Sequence, residues 1–249
     1  MSLEFELKEN VLTLKKMTLP SRCYLFRNGE NYVKLLNVGE GLFPNDKICT
    51  RVNMTNSNLI LASESALKVY PSECKAALNR YVFCLKNSNL EFLNDEVIMF
   101  KSSRFIQFLT LSFDEDSTFF YSELLSSGRS FEEYDFEKYA VRNRFIHNKK
   151  IEYLEEFAIS GSELKEYLKR HGSKNRLFAK VYIKSKDNEA FGETLFKAGI
   201  KSFEKTQNGV ILICIILGNK ISSIKSKISL IWQLYRKMLK KDEFDLGKR

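Results

Sequence analysis

The stretch Val52–Leu125 decides the fold, because it repeats one pattern three times. An apolar run ends in Thr55-Asn56-Ser57-Asn58, and Leu59-Ile60-Leu61 follows. A second ends in Asn87-Ser88-Asn89, and Leu90-Glu91-Phe92-Leu93 follows. A third ends in Asp114-Glu115-Asp116-Ser117, and Thr118-Phe119-Phe120-Tyr121 follows. The central serines Ser57, Ser88 and Ser117 are 31 and 29 positions apart. A fourth turn, His147-Asn148-Lys149-Lys150, comes about 30 residues later and leads into Ile151-Glu152-Tyr153-Leu154, so the spacing is that of stacked strand–turn–strand units.

Each turn is followed by an acid where its outgoing strand should end. Glu64 lies at +7 from Ser57, Asp95 at +7 from Ser88, Glu123 at +6 from Ser117 and Glu155 at +7 from Asn148. Stacking in register would set the four in a row along one edge. The ordinary reading is that strand ends are polar because they meet water. The sharper reading is an acid-lined surface or channel able to carry a cation.

From Leu3 to about Ile159 the runs are short, of period near two, and rich in Val, Ile, Phe, Tyr and Leu. They include Leu3–Leu7, Val11–Leu14, Tyr24–Phe26, Tyr32–Val38, Ile48–Met54, Tyr81–Leu85, Val97–Phe100, Phe105–Phe113 and Phe119–Leu125. This predicts a mainly β body over residues 1–160, solenoid-like or sandwich-like. A connection with a short exposed helix, Glu163–Arg170, fills 161–175. A β-α-β-β-α unit and a charged tail fill 176–249. In that unit Leu177–Lys184 alternates as a strand, and Asp187 caps a helix that ends at Gly199. Ile200–Lys205 and Val210–Leu217 pair across Asn208-Gly209. A last helix has Ile221, Ile224, Ile228, Ile231, Trp232, Tyr235 and Leu239 on its inner side, and Lys240–Arg249 is expected to fray.

Composition narrows the function. The net charge of +9 is spread, with local excesses at Lys165–Lys186 and Lys220–Lys241, where a nucleic-acid binder would concentrate it in one stripe. Five cysteines, with no CxxC pair and no opening signal peptide, predict reduced thiols in a cytoplasmic protein. Val210–Leu217, the longest apolar run, is too short to span a bilayer. GxSxG, GxGxxG, HExxH and the Walker loop do not occur, and His147 and His171 lie outside metal-ligand spacing of any cysteine. Paired acids such as Glu132-Glu133 and Glu155-Glu156 are too common to imply a glycosidase. A basic nucleic-acid-binding β protein and a carbohydrate-active β-solenoid remain the alternatives, without a motif behind them.

Several stretches, in order along nearly the whole chain, resemble the UreD family of urease accessory proteins, called UreH in some species. Glu40–Asp46 is similar to the family's Gly-Gly-Leu-Val-Gly-Gly-Asp; it keeps Gly41, Leu42 and Asp46 but has Glu40, Pro44 and Asn45 for glycines. Ser63–Tyr70 is similar to Thr-Gln-Ala-x-Lys-Val-Tyr, with Lys68-Val69-Tyr70 intact and Glu64 for the glutamine. Leu90–Phe100 resembles Leu-Glu-Trp-Leu-Pro-Gln-x-x-Ile-x-Phe, which includes Glu91. Glu123–Arg129 resembles acid-x-x-x-x-Gly-Arg, although Glu133-Tyr134 replaces the Gly-Glu that follows in the family. Leu217-Gly218 with Trp232 and Arg236 matches the family's closing Leu-Gly and Trp-x-x-x-Arg, although Ile215 replaces the arginine usual before the Leu-Gly.

The resemblance implies a β-helix-like body and no enzymatic activity. It implies work with the accessory protein UreF and the GTPase UreG, as a possible dimer within that assembly, to deliver Ni²⁺ to apo-urease through the protein's interior. No permanent cofactor is expected, only transient Ni²⁺, and neither nucleic acid nor membrane as a partner. Carboxylates and neutral oxygens suit such transit better than thiolates, which would hold nickel too tightly. Asp46, Glu123 and Glu155 are the first candidates to meet the ion, and Glu64 and Asp95 the second. Gly41, Lys68, Tyr70, Glu91, Arg129, Trp232 and Arg236 are expected to be framework or partner-contact residues.

Overall fold

In the computed structural model, residues 1–27, 29–36, 39–129, 131–170 and 177–247 are described. The end of the Tyr32–Val38 run and His171 lie outside them. Among the described residues sixteen strands and three helices follow in chain order. The strands are β1 (Ser2–Lys8), β2 (Val11–Thr18), β3 (Arg22–Phe26), β4 (Tyr32–Leu36), β5 (Lys47–Thr55), β6 (Asn58–Ser63), β7 (Leu67–Val69), β8 (Ala77–Lys86), β9 (Asn89–Met99), β10 (Arg104–Phe113), β11 (Thr118–Ser126), β12 (Lys138–His147) and β13 (Lys150–Ile159). Helix α1 (Gly161–Arg170) leads to β14 (Leu177–Lys184), α2 (Asn188–Lys197), β15 (Phe203–Lys205), β16 (Leu212–Gly218) and α3 (Ile221–Met238).

The chain alternates between two facing sheets. One has the order β13-β12-β10-β8-β5-β1-β2, and the other β15-β16-β14-β11-β9-β6-β4-β3, with β7 also on β9. The middle of each sheet is parallel: β5–β8, β8–β10 and β10–β12 in the first, β6–β9 and β9–β11 in the second. Each coil lays one strand in the first sheet, turns, and lays the next in the second. This is a β-helix-like solenoid flattened into two layers. The outer strands pair antiparallel, and β14 joins β11 that way, so the C-terminal elements continue the second sheet.

The repeated turns hold the coils in register. Asn56 and Asn87 take φ of 48° and 44°, a left-handed conformation that asparagine tolerates. Ser57 Oγ donates to Thr55 O (2.7 Å) and Ser88 Oγ to Lys86 O (2.6 Å). The same hydroxyls join the coils: Ser57 N donates to Ser88 Oγ, and Ser88 N to Ser117 Oγ, both at 3.2 Å. The fourth turn, with Asn148 and Lys149 both left-handed, instead makes a hairpin between β12 and β13 inside the first sheet.

Between the sheets lie two apolar clusters. One, around Phe5, Phe83, Phe92 and Phe119, is near the serine turns; the other, around Leu42, Val69, Phe105 and Tyr139, is at the opposite end. A third cluster covers the outer face of the second sheet, where Ile224, Ile228, Ile231, Trp232 and Tyr235 of α3 are buried as their helical spacing predicts. Asp187 caps α2 by accepting from Ala190 N (3.0 Å). The expected frayed tail is packed as far as residue 247. Phe244 and Leu246 lie against the third cluster, and Leu246 O accepts from Tyr32 Oη (2.9 Å). Apolar residues at 244 and 246 outweigh the charges around them.

Beneath α3 sits a buried ion cluster. Glu91, fully buried, accepts from Trp232 Nε1 and Arg236 Nη1 at 2.7 Å each and from Lys241 Nζ at 3.0 Å. Arg236 also pairs with Glu30. Burial pushes the Glu91 carboxyl up, but Lys241 and Arg236 outweigh it and hold it below its ordinary 4.5. A depressed carboxyl contributes stability above its ordinary value, and that stability is lost as pH falls through the depressed one. Glu91→Ala leaves Arg236 and Lys241 short of a counter-charge and should cost about 3–5 kcal/mol in urea unfolding near neutral pH, with the difference shrinking as the pH drops below the ordinary carboxylate range. An unchanged unfolding midpoint would show that α3 does not depend on this cluster.

Candidate functional site

Alternation along the strands explains where the acids go. In β6, β9 and β11, positions +2 and +4 from the turn serine enter the core: Leu59 and Leu61, Leu90 and Phe92, Phe119 and Tyr121. Position +6 therefore also faces inward, and +7 faces outward. Ser63, Asn94 and Glu123 hold +6, whereas Glu64 and Asp95 hold +7. The expected single row of acids is thus divided. Glu123 points between the sheets. Glu64 pairs with Lys34 (3.0 Å), and Asp95 with Lys225 of α3 (3.1 Å), on the other side of the second sheet. Glu155 reaches the interior from the opposite sheet, because an irregularity in the β12–β13 register places it beside Asn143 with Tyr153 on the core side. Asp46 stays apart. Its Oδ2 accepts from Phe43 N (2.9 Å), closing its own turn.

The inward polar positions form a seam between the two interior apolar clusters. At one side Ser63 Oγ donates to Asn94 Oδ1 (3.0 Å), next to a cavity of about 20 Å³ also lined by Thr50, Asn79 and Tyr81. That is room for about one water molecule. In the middle, Gln107 Nε2 donates to Glu123 Oε2 (3.0 Å) and Tyr121 Oη donates to the same oxygen (3.2 Å). Beyond it, Asn143 Nδ2 lies 3.3 Å from Glu123 Oε1 and 3.3 Å from Glu155 Oε2. Tyr182 Oη likewise reaches both carboxylates, at 3.1 and 2.6 Å. Lys180 closes the row with an ion pair to Glu155.

The seam is buried and short of partners. Asn79, Gln107, Glu123 and Asn143 are each less than a tenth exposed. Asn79 Oδ1, Gln107 Oε1 and Asn143 Oδ1 have no hydrogen-bond partner among the described residues. Burial pushes the Glu123 carboxyl above its ordinary 4.5; Lys180 pulls it back and Glu155 pushes it further. Burial, reinforced by Glu123, carries the Tyr121 and Tyr182 hydroxyls well above 10, so both remain donors. The two carboxylates are thus met by amide N–H and phenol O–H donors and by one ammonium. Among the described residues no group of three or more His, Cys, Asp or Glu could hold a metal ion.

The expected framework residues fall into two places. Glu91, Trp232 and Arg236 make the ion cluster under α3. Gly41, Lys68, Tyr70 and Arg129 meet at the end opposite the serine turns. Gly41 has φ of 146°, and a Cβ there would lie 2.4 Å from Lys68 O, so only glycine fits the approach of the two segments. Tyr70 stacks on Phe43 (4.6 Å between centroids) and meets Phe100 edge-on (5.1 Å), while the Arg129 guanidinium lies 3.8 Å over Phe100.

These clusters tie together segments with the family's motifs, and comparison with known proteins agrees. A family model described as UreD urease accessory protein matches residues 4–245. The chain belongs to the UreD family. It is 48% identical over 250 residues to the urease accessory protein UreD of Aliarcobacter butzleri (strain RM4018), covering all of both chains. It is 29% identical over 205 residues to that of Prochlorococcus marinus (strain AS9601), covering 74% of this chain and 67% of the other. Against UreD of Bacillus sp. (strain TB-90) the match is 34% over 99 residues, 39% of this chain and 36% of the other.

Gln107, Asn143, Lys180 and Tyr182 were not among the sequence candidates for this UreD protein. A signal existed: Gln107 and Asn143 interrupt the core-facing phase of β10 and β12, and Lys180 does so in the apolar strand Leu177–Lys184. A carboxyl raised by burial makes folding less favourable as pH climbs through its value in the folded state. Glu123→Gln should therefore melt no lower than the unsubstituted protein at about pH 8 and show a shallower loss of melting temperature with rising pH. A lower melting temperature throughout would mean that the charged carboxylate supports the fold.

Proposed function

We propose that this UreD protein is a non-catalytic nickel-insertion chaperone that docks on apo-urease and, with UreF and the GTPase UreG, delivers Ni²⁺ through its interior. The observation that carries this reading is the buried seam centred on Glu123 and Glu155. An ion in transit needs stations that replace part of its hydration and let it go again. A carboxylate pair with Asn, Gln and Tyr oxygens offers charge without the tight grip of thiolate or clustered imidazole. The five cysteines, all unpaired, suit a reducing cytoplasm and stand outside this ligand set. The seam is filled with side chains beside its small cavity, so passage requires them to part. The unpartnered amide oxygens of Gln107 and Asn143 could turn toward the ion as they do. Asp46, Glu64 and Asp95 would act at the surface, before or after this passage. No described helix is long and apolar enough to cross a membrane.

The test is urease activation at limiting Ni²⁺, with apo-urease, UreF and UreG supplied. Glu123→Gln with Glu155→Gln leaves buried Lys180 without its counter-charges and lowers stability, but the variant should still assemble on size-exclusion chromatography. Activation should fall about tenfold or more, as changes around a metal's ligands commonly cause. Full activation by this double variant would remove the internal path.

A further inference from the structure

We propose that Lys180 is a built-in stand-in for the travelling cation: its ammonium occupies the acid pair of the seam when no ion is present and is displaced when a divalent ion arrives. The inference rests on the internal path proposed above and adds the residue that controls access to it.

Placement supports the role. Lys180 is directly opposite Glu123 in the β11–β14 pairing, so the two side chains share the inner face. Its Nζ pairs with Glu155, whose carboxylate shares Asn143 and Tyr182 with Glu123. Lysine, carboxylate pair, amide and phenol thus form one connected unit. The Lys180 side chain is only 9% exposed and that of Glu155 16%, so the ammonium is largely dehydrated yet near the rim.

The chemistry fits exchange. A lysine ammonium is a compact charge on a flexible stem, free to swing, whereas a guanidinium would lock bidentately onto the carboxylate. The rings of Phe157 and Phe178, 4.9 and 5.2 Å from Nζ, favour a cation at this rim through their π faces. Those rings would steady the ammonium as it leaves Glu155. Buried Gln107 and Asn143 turn their amide nitrogens to the carboxylates, while their amide oxygens have no hydrogen-bond partner among the described residues, so a half-turn of either amide brings a free acceptor to the ion. Lys180 brings one positive charge to the acid pair, whereas a dication in its stead brings two and so holds the burial-raised Glu123 carboxyl in its charged form. The exchange therefore favours a divalent ion over a monovalent one.

Ni²⁺ binding to the purified full-length chain, measured by equilibrium dialysis with Ni²⁺ as the only probe, tests this. Lys180→Met should raise affinity by about tenfold or more, and adding Glu155→Gln should abolish the gain. A folded Lys180→Met chain that binds Ni²⁺ no better than the unsubstituted one overturns the proposal, as does a gain that survives Glu155→Gln. Should Lys180→Met not fold, Lys180→Arg keeps the charge, and its harder displacement should slow urease activation at limiting Ni²⁺; activation at the unsubstituted rate overturns the proposal. These outcomes are separable from failure of the path itself, which shows as full activation by the Glu123→Gln, Glu155→Gln protein whatever Lys180 does.

Discussion

Everything in this protein depends on successive coils lying in register. Parallel strands do not fix their own register through a short hairpin, so the information must come from elsewhere. Here the turn serines supply it: each hydroxyl closes its own turn and also accepts from the amide of the neighbouring coil. With the turns aligned, equal distances along β6, β9 and β11 become neighbouring places in space. Ser63 and Asn94 then lie in one layer and Glu123 continues it, although 60 residues of chain separate the first from the last. A slip of one residue in any coil would turn that coil's polar position out of the seam.

The seam is expensive. Buried amides without full partners and a carboxylate under burial pressure each oppose folding. Aliphatic residues at Gln107, Asn143 and Glu123 would let the two interior apolar clusters merge into one core. Places where local choices disagree with the global fold are expected at functional sites, and the seam is such a disagreement between the sheets. The cost is bearable because the apolar clusters on both sides hold the layers together independently.

Much of this was legible in the residues. The serine spacing of 31 and 29 gave the solenoid, and the spacing of Ile224, Ile228, Ile231 and Trp232 gave the inner face of α3. The difference between +6 for Glu123 and +7 for Glu64 and Asp95 was also visible. Period-two alternation alone separates them, and treating the offsets as equivalent produced the single row that the fold does not contain. Glu155 was legible only as a residue type. Its inward direction comes from the irregular β12–β13 register, which no spacing from Asn148 announces. The packed tail was hidden by its charges, because Phe244 and Leu246 find their partners on Tyr32 and Trp232, far away in sequence. Lys180 was hidden for a related reason: Leu177–Lys184 displays its alternation, but which face lies inward depends on β11 beside it.

The two buried charge clusters differ in one respect that bears on function. Under α3, Glu91 and Glu30 face Arg236 and Lys241, two negative charges against two positive, with Trp232 filling another lone pair. Such a cluster is balanced and has nothing to gain from a further ion. In the seam, two acids, Glu123 and Glu155, meet one cation among the described residues, Lys180, with amides and phenols around them, and burial presses the Glu123 carboxyl toward its neutral form. A low-dielectric interior amplifies that imbalance, because water cannot screen it. The same fold thus contains one ion cluster completed by its own residues and one left a charge short. A protein built only to be stable would have little use for the second, and the proposed passage of a cation supplies a use: a place where the cation is welcome and not held.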